Sequence, residues 1–138
     1  MNSVQFFKSS SSDYEAPDLA VIDVSFISLI KVLPAVKSCL KDEHSEILAL
    51  VKPQFEAGRE NVGKGGVVRS PEIHKQVIRN LISGSQSIGL MAQKLTFSPL
   101  KGPQGNIEFL ILLSLSSESK LSQDSIDDVV ESSASSLK

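Results

Sequence analysis

The sequence has 138 residues, which is enough for one domain with a hydrophobic core and too few for several. Hydrophobic residues make up 41% and charged residues 22%, as in ordinary water-soluble globular domains, and the net charge of −2 gives no overall attraction to nucleic acid. The single cysteine excludes an intrachain disulfide, and no apolar run is long enough to span a bilayer, so we expect no membrane partner.

The first 17 residues predict a disordered lead, because they are polar and contain the run Ser9–Ser12 followed by Pro17. They show no signal-peptide pattern. A transit peptide would be Ser-rich in the same way, but it would avoid acids such as Asp13 and Glu15 and would carry arginine, which is missing here. The compartment therefore stays open.

Two short apolar runs on either side of a periodic segment predict a parallel strand–helix–strand unit. Leu19–Val24 and Glu46–Val51 are continuous enough for strands that are buried on both faces. Between them, residues 26–41 carry apolar side chains at helical spacing, with Ser25 or Ser28 as the N-cap. The crossover that joins two such parallel strands is expected to be right-handed.

The second half of the chain predicts a loop, a helix and two strands. Residues 53–70 contain four glycines and read as a long loop, and Ser70-Pro71 is a good start for a helix that ends near Gly84 or Gly89. Gln93–Ser98 and Ile107–Leu115 are strand-like and are separated by a short turn-rich connection, so we expect them to be antiparallel neighbours.

From residue 116 the chain has nine serines in 23 residues and five acids against two lysines, which predicts a disordered acidic tail. Residues 18–115 are then an α/β domain, half of a doubly wound sheet closed by an antiparallel hairpin. Such a half leaves one edge of the strand Leu19–Val24 without a partner, which is unfavourable for folding.

Three charged residues stand at the ends of the apolar runs: Asp23, Lys52 and Glu108. Open α/β sheets bind ligands in the crevice at their strand ends, so these side chains are candidates for a site that handles protons and stabilises charge. Asp23 and Lys52 also have plain structural explanations. Asp23 could cap the following helix, and Lys52 could either reach solvent or lie partly buried, where a lysine deprotonates or steers a hydroxyl.

Other polar groups give weaker signals. Six basic residues against three acids between Lys52 and Arg79 either face a polyanion or form a solvated surface, and we take Arg59, Lys64 and Arg69 as candidate RNA contacts. The stretch Gly63–Gly66 lacks the spacing of a P-loop or a dinucleotide-binding loop. His44 and His74 have no neighbouring ligand set, so we expect them at the surface and predict no metal site.

Four strings, taken in order, carry a family resemblance. They are Ile22-Asp-Val-Ser-Phe-Ile-Ser28, Val51-Lys-Pro-Gln-Phe-Glu-Ala57, Val62-Gly-Lys-Gly-Gly-Val-Val68 and Ser98-Pro-Leu-Lys-Gly-Pro-Gln-Gly-Asn-Ile-Glu108. Together they resemble the hemolysin A (TlyA) type of FtsJ-like ribosomal RNA methyltransferase, over about residues 17–115.

The resemblance implies a Rossmann-like methyltransferase sheet, S-adenosylmethionine as cofactor, and ribosomal RNA or a ribosomal subunit as partner. It also implies methylation of ribose 2′-hydroxyls by a Lys-Asp-Lys-Glu set. The Asp, second Lys and Glu of that set fall on Asp23, Lys52 and Glu108, and Asp23 would also lie beside the methionine end of the cofactor. In a eukaryote, a bacterial-type enzyme of this kind would suggest a plastid or a mitochondrion.

Parts of the family pattern have no counterpart in the sequence: the first catalytic lysine, the Gly-rich cofactor loop, the acid for the cofactor ribose and the S4-type RNA-binding domain. The chain is therefore expected to be a truncated enzyme, a partial Rossmann-like sheet that is active only when the missing half is supplied. Two alternatives stay open. One is a non-catalytic remnant that binds RNA or protein, and the other is a chain without a stable fold.

Overall fold

The computed structural model describes residues 2–7, 18–115 and 118–137. Its strands are β1 (Ser3–Phe7), β2 (Leu19–Asp23), β3 (Glu46–Val51), β4 (Met91–Phe97) and β5 (Phe109–Ser114). Its α-helices are α1 (Leu29–Ser38), α2 (Pro53–Glu56), α3 (Pro71–Gln86) and α4 (Gln123–Ser136), and short 3-10 turns cover Arg59–Asn61 and Pro103–Gly105.

The strands form one sheet in the order β1-β2-β3-β5-β4. β2 and β3 are parallel and are connected by α1, whereas the other three pairs are antiparallel. The predicted strand–helix–strand unit and the predicted antiparallel pair of C-terminal strands are both confirmed. The chain is a mixed α/β protein.

The core lies between one face of the sheet and the helices α1 and α3. Alternate residues of the central strands point to this face, and their side chains are almost fully buried: Ala20, Ile22, Ile47, Ala49, Val51, Phe109, Ile111 and Leu113. Leu33 of α1 and Ile78 of α3 are equally buried in the same cluster. Alternate residues of a strand point to opposite faces, so the residues between them form a second face that is less buried.

Serine caps set the starts of the two long core helices. The Ser28 hydroxyl accepts a hydrogen bond from Ile30 N at 3.3 Å, and the Ser70 hydroxyl accepts one from Ile73 N at 3.4 Å. α1 begins at Leu29, three residues later than predicted, because Phe26 adopts a positive φ of 65° that a right-handed helix excludes.

The predicted disorder of the lead is wrong for residues 3–7. This segment is β1, which pairs antiparallel with β2 from Ser3↔Asp23 to Phe7↔Leu19. It satisfies the strand edge that the sequence leaves open, so the folding problem raised by that edge does not arise. The rest of the predicted lead, residues 8–17, lies outside the described residues.

The predicted disorder of the tail is wrong for residues 123–136, which form α4. Ile126 and Val130 lie one helical turn apart and are buried in the core cluster, and the Ser122 hydroxyl caps the helix by accepting from Ser125 N at 3.1 Å. Of the helices in the described part of the chain, none is long and apolar enough to cross a membrane.

Candidate active site

The candidate site lies where β2 and β3 end and β5 begins. β2 and β3 are parallel, so Asp23 and the residue after Val51 emerge at the same edge of the sheet. β5 runs in the opposite direction, and Phe109 pairs with Val51, so the residue before Phe109 also reaches this edge. The directions of the three strands therefore place Asp23, Lys52 and Glu108 at the same edge of the sheet.

Asp23 and Lys52 form a direct ion pair between the carboxylate Oδ1 and the ammonium Nζ. Lys52 Nζ also donates to the Ser25 hydroxyl at 3.1 Å. The Lys52 side chain is 10% exposed and that of Asp23 is 49% exposed, so the ammonium is shielded from water while its carboxylate partner remains accessible. The sequence allows Lys52 either to reach solvent or to lie partly buried, and the structure shows the buried alternative.

Glu108 takes part in the site through a different neighbour. It is only 6% exposed, and its Oε2 accepts a hydrogen bond from Gln54 Nε2 at 3.2 Å. The backbone of Gly102 approaches so closely that a Cβ built there would lie 2.1 Å from Glu108 Oε2. The structure therefore brings Asp23 and Lys52 into contact and places Glu108 beside Gln54.

A further acid, Glu56, is partly buried and connects the two strand-end loops. Its Oε1 accepts from the Ser28 hydroxyl at 2.7 Å and its Oε2 accepts from Leu29 N at 2.9 Å, at the start of α1. A carboxylate is favourable at a helix N-terminus. Burial nevertheless raises the pKa of Glu56 above its usual 4.5, against the lowering effect of these two hydrogen bonds.

A cleft of about 400 Å³ opens beside Lys52. Its lining combines the ends of the three loops: Ser25, Phe26, Lys52, Gln54, Phe55, Val62, Gly66, Pro103 and Gln104. The rings of Phe26 and Phe55 are 4.7 Å apart at an angle of 49°. Phe26 is 87% exposed and its φ is positive, and strained backbone of this kind is concentrated at functional sites.

The three candidate RNA contacts are exposed and lie around this cleft. Arg59 lines an adjoining groove together with Phe26 and Phe55. Lys64 and Arg69 flank the glycine-rich stretch, where Arg69 Nη1 donates to the Lys64 carbonyl at 3.3 Å.

The glycine-rich stretch is held by a fully buried side chain. Asn106 Oδ1 accepts from Val68 N at 3.0 Å, and Asn106 Nδ2 donates to the Gly66 carbonyl at 2.9 Å. These bonds give the Val68 N–H and the Gly66 carbonyl side-chain partners in place of backbone ones. The predicted loop is therefore attached to the segment that leads into β5.

The predicted surface position is wrong for His74, which is 1% exposed. Its Nε2 donates to the Val68 carbonyl at 2.8 Å and its ring packs edge-on against Phe109. Burial lowers the pKa of His74 below its usual 6.5, and the bond to Val68 opposes part of this effect. Within residues 2–7, 18–115 and 118–137, no group of three His, Cys, Asp or Glu side chains could hold a metal ion.

The site fits only part of S-adenosylmethionine. The accessible carboxylate of Asp23 suits the ammonium of the cofactor's methionine end. The cleft lining contains no carboxylate for the ribose hydroxyls, and the sequence has no counterpart of the Gly-rich cofactor loop that the resemblance implies. The described residues therefore do not form a seat for the adenosyl group.

Sequence reasoning missed four residues of the site: Ser25, Gln54, Glu56 and Gly102. A signal existed for Gln54 and Glu56, since both lie in the string Val51–Ala57 that carries the resemblance. Ser25 and Gly102 also lie in such strings, Ile22–Ser28 and Ser98–Glu108, but their contacts with Lys52 and Glu108 are known only from the fold.

The FtsJ-like methyltransferase profile matches residues 2–115. YqxC of Bacillus subtilis, assigned as an rRNA methyltransferase, is 47% identical in an alignment of 126 residues that covers 88% of this chain and 44% of YqxC. TlyA of Mycobacterium tuberculosis, a 16S/23S rRNA (cytidine-2′-O)-methyltransferase, is 40% identical over 113 residues, which are 82% of this chain and 42% of TlyA.

A solved structure from Streptococcus thermophilus, assigned as a hemolysin, has a TM-score of 0.82 and 41% identity over 88% of this chain and 44% of that chain. The chain spans less than half the length of these relatives. An alignment over 88% of the chain also reaches beyond residues 18–115, so the similarity extends into the lead or the tail. The profile match and the relatives show that the chain belongs to the FtsJ-like methyltransferase family.

Proposed function

We propose that this chain carries the hydroxyl-activating side of an rRNA 2′-O-methyltransferase, with S-adenosylmethionine as methyl donor. The observation that carries the proposal is the buried Lys52 ammonium, paired with Asp23 at the strand ends of a chain from a methyltransferase family. Relatives with rRNA methyltransferase names support rRNA as the substrate class.

The chemistry requires that a ribose 2′-hydroxyl, which is a poor nucleophile, be oriented and relieved of its proton. Lys52 has an ammonium with three protons, and Asp23 and Ser25 take two of them. The third can be donated to the hydroxyl oxygen, which stabilises the negative charge that develops there as the hydroxyl proton passes to the accessible carboxylate of Asp23. The cofactor supplies an electrophilic methyl group, and in-line positioning against it contributes several kcal/mol, about 7–11 in favourable intramolecular cases.

The surroundings of Lys52 suit a nucleotide. The exposed ring of Phe26, supported by Phe55, offers a flat apolar surface on which a base can stack. Arg59, Lys64 and Arg69 surround the cleft with positive charge that suits phosphates. We therefore assign the cleft to the target nucleotide and the three basic residues to its flanking backbone.

Calorimetric titration of the full chain with S-adenosylmethionine tests whether this chain binds the cofactor by itself. We expect no saturable heat, since the described residues lack a seat for the adenosyl group. A titration of the same preparation with single-stranded RNA is the control that the chain is folded and competent to bind. Saturable binding of S-adenosylmethionine would contradict our assignment of this chain to the substrate side.

A second candidate function is RNA binding without catalysis. The same incomplete cofactor seat favours it, together with the exposed basic residues around the cleft. The two candidates differ at Lys52. A binding protein would use it only as one more positive charge, whereas methyl transfer depends on its position beside Asp23.

A further inference from the structure

The acid Glu108 is separated from the cleft, and this affects how it can act. Lys52 and Gln54 both line the cleft, whereas Glu108 does not and is 6% exposed. The inference below rests on the proposed function, because it concerns how this buried acid reaches the substrate.

The orientation of the Gln54 side-chain amide follows from its neighbour. The Glu108 carboxylate can only accept, so the amide must turn its Nε2 towards Oε2, at 3.2 Å. Gln54 Oε1 is then buried, and it has no hydrogen-bond partner among the described residues. A buried hydrogen-bond acceptor without a donor is unfavourable. Packing alone therefore does not explain why residue 54 is a glutamine.

The Glu108 carboxylate fits here because the neighbouring backbone position is a glycine, Gly102. Gly102 contacts the Glu108 carboxylate where any Cβ would collide with it, and the Gly102 amide donates to the Asn106 carbonyl at 2.8 Å, so this backbone is fixed. Glu108 is therefore held between a fixed glycine on one side and the Gln54 amide on the other. Gln54 is the side chain that contacts Glu108 and also lines the cleft.

We propose that Gln54 is a positioning residue that couples the buried Glu108 carboxylate to the cleft beside Lys52. Glu108 fixes the amide of Gln54, and a ligand that enters the cleft is sensed by Glu108 through that amide. The cleft is then lined by two separate groups, Lys52 held by Asp23 and Ser25, and Gln54 held by Glu108.

The first test uses the full chain without ligand and observes the Gln54 side-chain amide by 15N NMR, assigned through its loss in Gln54→Leu. Glu108→Gln should shift this resonance. Glu60→Gln removes an exposed acid of the neighbouring loop and should leave the resonance in place. An unmoved Gln54 amide in Glu108→Gln would overturn the inference whether or not the chain binds RNA.

The second test adds a short single-stranded RNA and follows the carboxyl carbon of Glu108 by 13C NMR. In the wild-type chain this carbon should respond to the RNA. In Gln54→Leu the backbone amides of Lys64 and Arg69 should still respond, because the phosphate contacts remain, but the response of Glu108 should be lost. A merely structural Gln54 would leave that response unchanged, and this result would overturn the inference.

Two further outcomes can be separated. If Gln54→Leu does not fold, Gln54→Asn replaces it, because its amide is one methylene too short to reach Glu108, and the same loss is expected. If RNA moves no resonance of the wild-type chain, the proposed function is contradicted, and the ligand-free comparison alone decides whether Gln54 and Glu108 are coupled.

Discussion

Lys52 is the residue on which the proposed chemistry depends, and its burial has a simple cause. It follows directly after Val51 at the end of a central strand, and Pro53 starts the next helix, so its side chain cannot leave the sheet edge freely. An isolated ammonium would be costly in this position, and the ion pair with Asp23 and the bond to Ser25 offset that cost.

His74 gives a residue-scale prediction about pH. Its buried ring stays neutral because a second proton, on Nδ1, would find no acceptor among the described residues. The pKa of His74 is lower in the folded than in the unfolded chain, so its contribution to stability is fully present above about pH 6.5 and is lost as the pH falls below that value.

We therefore expect the free energy of unfolding, measured with urea, to decrease between about pH 7.5 and about pH 5.5. His74→Gln keeps a donor for the Val68 carbonyl and removes the titration, so its decrease should be smaller. His44→Gln, at an exposed site, is the matched control and should behave as wild type. Glu56 acts in the opposite sense, since its raised pKa favours the folded chain at low pH, and the comparison at His74 separates the two. An identical pH dependence in all three proteins would contradict the prediction.

Phe26 gives a second residue-scale prediction. One substitution can remove the ring on which a base is proposed to stack and relieve the backbone strain at the same time. Phe26→Gly removes the ring and also suits a φ of 65°, so the melting temperature should stay equal or rise. RNA affinity, measured by fluorescence anisotropy, should fall by roughly 1–3 kcal/mol if a base stacks on this ring.

Leu100→Gly is the control for Phe26→Gly, since Leu100 is another large apolar side chain in a loop and is 77% exposed. It should leave RNA affinity unchanged. An equal loss of affinity in the two variants would show that general exposure of apolar surface, and not stacking at the cleft, is responsible.

At the scale of elements, the sequence predicts the central strands and the helices α1 and α3 because these carry strong local signals. β2 and β3 are unbroken apolar runs, and α3 begins with Ser70-Pro71. The terminal elements were predicted wrongly because composition hides them. β1 does alternate between polar and apolar residues, but it lies in a polar lead. α4 has few large apolar residues and lies in a Ser-rich tail.

α4 is held in place by ion pairs between its acids and basic residues of α3, a helix that is distant in sequence. Lys75 of α3 donates to Glu131 at 3.1 Å, and Arg79 of α3 donates to Asp127 at 3.1 Å. The bond to Glu131 is the main cause of a raised pKa of Lys75, against the opposing effect of burial. These pairs are visible only when the neighbours of α3 are known, so the sequence alone could not show that the tail is ordered.

The two faces of the sheet provide an element-scale prediction. Leu113 is fully buried under α1 and α3, whereas its neighbour Leu112 points to the other face and lines an open groove. Leu113→Ala should lower the free energy of unfolding by about 2–5 kcal/mol, and Leu112→Ala should lower it by clearly less. Urea denaturation measures both, and equal losses would contradict the assigned strand faces.

At the scale of the whole molecule, the sheet collects residues that are far apart in sequence. Asp23, Lys52 and Glu108 could be predicted as one site, since strand direction determines where each run ends. Their individual contacts could not. The ion pair, the amide of Gln54 and the close approach of Gly102 depend on distances across strands that no spacing in the sequence specifies.

The chain spans less than half the length of these relatives. The described residues provide a cleft beside a lysine paired with a carboxylate, and they provide only one group that suits the proposed cofactor. A direct test of Lys52 therefore needs the substrate side of this chain beside a complete cofactor seat.

The most direct measurement places this segment in Mycobacterium tuberculosis TlyA, in exchange for the 113 aligned residues. Transfer of labelled methyl groups to ribose 2′ positions of unmodified ribosomal subunits is then measured. The chimera should be active, and Lys52→Met should lower the rate at least about 100-fold with an unchanged melting temperature. The matched control, Lys64→Met, should retain turnover and lose only RNA affinity. A Lys52→Met chimera that transfers methyl groups at the rate of its parent would contradict the role proposed for Lys52.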